Sequence, residues 1–132
     1  MTREDFEIIM AEEFSVVPER FLGKIKNVGF IVEDEPDEEV RQEEGLHQNE
    51  TLLGLYRGVP LSERGDSYGM GMTLPDTITI YQFPIEEAAG GDPAEIRRIV
   101  RETIWHEVGH YFGLNEPEVR SREAKRRQEG HR

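Results

Sequence analysis

Two histidines four residues apart, with a glutamate beside the first, form the segment His106-Glu107-Val108-Gly109-His110, whose residue types and spacing together describe a reaction centre. On a helix, residues four apart lie one above the other on the same face. Two imidazoles in that arrangement can close on one zinc ion at Zn–N distances of about 2.0–2.1 Å, and the intervening glutamate stands beside the metal's open position. The chemistry this describes is a held ion, an activated water and a neighbouring base. A scrambled chain of this composition would contain the pattern in roughly two of every hundred cases, so its fall on an independently argued helix gives it weight. The competing reading is two buried histidines bonded to backbone and a glutamate paired with one of the arginines.

Zinc in a catalytic site takes three protein ligands and a water. Gly113 stands three residues after His110 and Glu116 six after it, giving H-E-x-x-H-x-x-G-x-x-E. The glycine lets the chain turn sharply after the helix, so that Glu116 can swing back as the third metal ligand through a carboxylate oxygen. Glu116 has a second reading, as an acid favouring the start of the next helix beside Pro117. With no cysteine in the chain, any metal must be held by His, Asp or Glu.

The elements that must position these residues are legible around them. Asp92-Pro93-Ala94-Glu95 has a cap acid, a first-turn proline and an acid three residues on from the cap, which predicts a helix running from there to about Phe112. Gly113 supplies its stop. On this helix Ile96, Ile99, Val100, Thr103, Glu107 and His110 share a face with His106 at its margin, while Trp105, Val108 and Phe112 make the motif segment apolar almost all round. The site is therefore expected to be rigid and partly dry, with Trp105 and Phe112 as core. Phe6, Ile9, Met10, Phe14 and Val17 recur at steps of three and four and predict an amino-terminal helix over 3–17, followed by a second short helix opening at Pro18. Residues 28–32, 52–57 and 77–83 read as strands, the last with Ile78 and Ile80 on one face and Thr77, Thr79 and Tyr81 on the other. Residues 33–50 hold nine acids against a single Arg41 and read as a solvated loop rather than a calcium site, because the spacing lacks the order of a calcium loop. The glycine-rich stretch between the second and third strands reads as a long connection.

The chain has 28 acidic and 16 basic residues, a formal net charge of −12. Its length fits a single domain over 1–132. The acidic balance argues against holding nucleic acid or an anionic membrane. No apolar run approaches the roughly 20 residues of a spanning helix, and the amino terminus carries acids where a secretory leader is basic and then apolar. A cytoplasmic location is expected.

Beyond the motif, the sequence resembles the minimal-zincin family, small bacterial proteins described as candidate zinc metallopeptidases. The resemblance runs over Leu53-Gly54-Leu55-Tyr56-Arg57-Gly58-Val59-Pro60-Leu61, then Asp76-Thr77-Ile78-Thr79-Ile80-Tyr81, then His106 through Glu116. The motif itself is similar to the extended metzincin signature, in which the third ligand is a histidine or, less often, an aspartate, so Glu116 keeps the position and changes the residue type. The resemblance implies an α+β fold, a small mixed sheet packed on the active-site helix with an amino-terminal helix behind it. Metzincins place a methionine turn after the motif, whereas Met1, Met10, Met70 and Met72 all precede it. An oxyanion donor beyond the motif is also missing apart from Tyr111 and His131, and Tyr56, Arg57 or Tyr81 could take that part. Arg57 reads equally as a structural ion pair and the tyrosines as strand-packing residues.

The leading expectation is a peptidase acting on a peptide or protein substrate, with Zn²⁺ held by His106, His110 and Glu116, Glu107 as catalytic base, and Tyr56 and Arg57 as weaker substrate-binding candidates. An extended peptide could pair with the edge of the strand at 52–57. The alternative is a non-catalytic metal-binding or protein-interaction domain on the same fold. A nucleic-acid adaptor using the basic stretch 120–127 is the third reading, set against a solvated helix end that includes Glu123.

Overall fold

The computed structural model describes residues 1–17, 28–58 and 76–113, together with positions 117, 121, 124 and 125, all four helical. The helix expected to open at Pro18, the long connection and Glu116 lie outside the described residues.

Helix α1 spans Arg3–Phe14, its start capped by the Thr2 side chain, which accepts from the Asp5 N–H. Phe6 and Ile9 are its buried stripe. Strand β1, Val28–Glu33, turns Val28, Phe30 and Val32 to the core. The acidic segment that follows is less open than its composition predicts. Helix α2, Glu38–Glu43, forms within it because Asp37 caps the Val40 N–H, two glutamates sit in the first turn where the helix dipole favours them, and Val40 is buried. Strand β2 is Gly54–Arg57 and strand β3 is Asp76–Tyr81.

The sheet has the order β1-β3-β2, with β3 parallel to β1 and antiparallel to β2. It is thus mixed, with β2 at an edge. Along β3, Asp76, Ile78 and Ile80 are buried on the core face. Tyr81, on the other face, is also buried. Burial, reinforced by the Glu33 carboxylate and opposed by Arg57, pushes its phenol up to about 12. The strand ends at Tyr81 rather than continuing to Phe83. Helix α3, Gln82–Ala88, follows at once, and Gln82 accepts from Arg3 Nε at 2.8 Å while donating to the Met1 carbonyl at 3.0 Å, so the strand-to-helix junction is tied to the start of α1.

Helix α4, Pro93–Tyr111, is the longest element, capped by Asp92, whose side chain accepts from the Ala94 N–H, with proline in its first turn. Gly113, at φ 90°, turns the chain after it. The core lies between the sheet and this helix, where Ile78, Ile80, Ile96, Val100, Ile104 and Val108 are buried together, and α1 contributes Phe6 and Ile9 from the other side. This is the expected α+β arrangement, a small mixed sheet against one long helix. Among the described residues, no helix is long and apolar enough to cross a membrane.

Candidate active site

The histidine pair lies in the last two turns of α4, and both rings are half-buried. Their centroids are 4.9 Å apart at an interplanar angle of 71°. The Nε2 atoms face each other at 3.3 Å. In a tetrahedral zinc site with bonds of about 2.0–2.1 Å, two ligating nitrogens stand about 3.3 Å apart. The two rings therefore already present their Nε2 atoms at the separation that one zinc ion requires. Among the described residues no group of three or more His, Asp or Glu assembles into a metal-holding cluster, and Glu116, the expected third ligand, is outside them.

Glu107 points from the same helix toward the sheet and is buried. An ionised carboxylate in such a place needs hydrogen-bond donors. One comes from the edge strand. The Tyr81 N–H donates to the Leu53 carbonyl at 2.9 Å, extending the ladder register in which Leu55 opposes Thr79 and Arg57 opposes Thr77. Because antiparallel pairs alternate between bonded and non-bonded, the backbone groups of Gly54 and Tyr56 then point outward from β2. The Tyr56 N–H is met there by Glu107 Oε1 at 2.9 Å.

That contact depends on close approach between strand and helix. A Cβ at Gly54 would stand 2.7 Å from Thr103 Cγ2, 3.1 Å from the Thr79 carbonyl oxygen and 3.3 Å from Glu107 Cγ. No side chain fits in that space, and glycine is what lets β2 rest on α4.

Of the two weaker substrate candidates, the structure brings Tyr56 to the site and turns Arg57 away from it. Tyr56 shares the helix-facing side of β2 with Gly54, its hydroxyl donates to Asp76 Oδ2 at 2.7 Å, and its ring meets Tyr111 edge-on with centroids 6.1 Å apart. Arg57, one residue on and therefore on the opposite face, pairs with Glu43 of α2. Trp105 and Phe112 pack against the core, as their place on the helix implies. Sequence reasoning did not single out Gly54 or Asp76 as site residues. Both stand inside the stretches that carry the family resemblance, and the only local signal was a glycine within a strand, which marks a close backbone approach.

The arrangement can hold a divalent ion on two imidazoles beside a buried, oriented carboxylate, at the edge of a sheet. No curated protein matches the chain. The sequence model of the family described as zincin-like metallopeptidase matches residues 25–126, which spans both the sheet and the histidine-bearing helix, and this chain belongs to that family.

Proposed function

We propose that the protein is a zinc-dependent metallopeptidase that hydrolyses peptide bonds, with His106, His110 and Glu116 holding the metal and Glu107 carrying the proton. The observation that supports this reading most is the 3.3 Å approach of the two Nε2 atoms, on the same helix as the buried Glu107 carboxylate. Zinc, when bound there, supplies Lewis acidity toward a water and toward the scissile carbonyl. Ligation through Nε2 needs both rings neutral with the proton on Nδ1. Glu107 takes a proton from the attacking water and passes it to the leaving amine, and the Tyr56 N–H on Oε1 keeps the carboxylate aimed during that transfer. An extended peptide laid along the edge of β2 runs next to Glu107, with the Tyr56 N–H kept by that carboxylate. Tyr56, through its ring, is the substrate-side residue of this reading, whereas Arg57 lies on the opposite face and pairs with Glu43.

Substitution of Glu107→Gln tests it. The variant is expected to bind zinc as the parent does and to lose cleavage of an unfolded protein substrate by a factor of at least about 10². Undiminished cleavage would remove Glu107 from the reaction. Glu116→Ala is expected to weaken zinc affinity, measured by competition with a chromogenic chelator, and unchanged affinity would return that residue to helix capping.

A further inference from the structure

Tyr56 is bound at both ends of its length. Its backbone N–H donates to Glu107 and its hydroxyl, on the far side of the ring, donates to Asp76 Oδ2 at 2.7 Å. Asp76 opens β3 and is 2% exposed. Its carboxylate is seated against the backbone of Gly58, where an added Cβ would fall 2.3 Å from both Asp76 Cγ and Oδ1, and Gly58 has a φ of 152° that disfavours any other residue. The chain has thus cleared a place for this carboxylate beneath the end of the edge strand.

A buried acid is an expensive way to join two strands. Tyr56 stands opposite Ile78 on the core face, and an aromatic on a branched aliphatic is already a stabilising cross-strand pair. Burying the carboxylate costs free energy that its hydrogen bonds must offset, so stability alone would be served as well by an apolar residue. What the polar pair adds is direction: a phenol bonded to a carboxylate is a short, oriented contact, whereas apolar packing is non-directional. Strand β2 is only four residues long and, among the described residues, has a ladder partner on one side alone. Its other side is where its N–H must meet Glu107.

We infer that Asp76 is a positioning residue for Glu107, acting through Tyr56: the Asp76–Tyr56 hydrogen bond sets the height of the edge strand, and the Tyr56 N–H sets the direction of the Glu107 carboxylate. The inference rests on the reading of Glu107 as the proton carrier.

The test uses the full zinc-loaded chain and two variants that keep shape, Tyr56→Phe and Asp76→Asn, with Glu107→Gln as reference. The first readout is the Tyr56 backbone amide (residue 56 in every variant) by NMR. Its proton resonance is expected to move in the direction that Glu107→Gln moves it, and its hydrogen exchange to quicken, while the amides of Val100 and Ile104 in the core stay in place. The second is cleavage, where kcat is expected to fall about 10–100-fold with KM and zinc affinity unchanged. An amide at position 56 that neither variant moves overturns the inference, as does an equal loss of protection across the core amides, which marks the pair as structural only. If the parent chain cleaves nothing, the peptidase reading fails by itself, and the amide shift still decides whether Asp76 aims Glu107.

Discussion

Glu107 is the residue on which the proposed chemistry turns, and its surroundings explain how a carboxyl group is accommodated on burial. It is buried at a place with little water and accepts from a backbone donor on a strand 51 positions earlier in the chain. The motif containing it was legible because both histidines and the acid obey a single helical period, and the helix announced itself through Asp92 and Pro93. Its contact with Tyr56 was not legible, since the donor is a main-chain N–H that any residue there would supply and only the register of β2 on β3 turns it outward. Tyr81 carries a prediction at the same scale. Its phenol titrates near 10 in the unfolded chain and about 12 in the folded one, because burial, with Glu33 next, disfavours the phenolate. The folded state therefore keeps this contribution in full below pH 10 and loses it progressively between pH 10 and 12. Urea midpoints followed across that window should fall for the parent chain and fall less for Tyr81→Phe, and parallel curves would assign the alkaline loss to other groups.

Helices α1 and α4 are joined by a buried carboxylate. Glu13 is 6% exposed, and it accepts from Arg101 Nε at 2.6 Å and Arg97 Nη1 at 3.3 Å, while Arg97 also reaches Glu12 at 2.8 Å. Both arginines remain partly in water, so removing their partner strands no deeply buried cation. Glu13→Ala is expected to lower stability by about 1–3 kcal/mol in denaturant unfolding, and a change below about 0.5 kcal/mol would show the clamp to be ornamental. Strand and helix meet more tightly at Gly54. Gly54→Val is expected to cost about 1–3 kcal/mol by overpacking against Thr103 and to abolish zinc-dependent cleavage by lifting β2 away from Glu107; full retention of activity would contradict the packing described. At this scale the sequence showed the strongly periodic elements, α1, α4 and the three strands. It concealed α2, whose acids mask a six-residue helix with one buried apolar residue, Val40. It also concealed α3, because Gln82-Phe83 continues the β-like run of β3 without a break, and the turn into helix is fixed by contacts from Arg3 and Met1 far away in sequence.

Across the whole molecule the sheet, the long helix and the amino-terminal helix share one core, and the site is built at its margin where the end of α4 passes the edge strand. The net charge of −12 raises the concentration of cations around the molecule as a whole. Metal and fold are then coupled: an ion that binds only the folded chain stabilises it by about 2.7 kcal/mol at a hundredfold excess over its dissociation constant. The proposed function depends on His106 and His110 gripping one ion between their Nε2 atoms. Its most direct test is zinc retained after loading and desalting of untagged protein, quantified by elemental analysis. One zinc per chain in the parent and almost none in His106→Ala and His110→Ala is the expected result. No retained zinc in the parent, or equal zinc in the histidine variants, would contradict it.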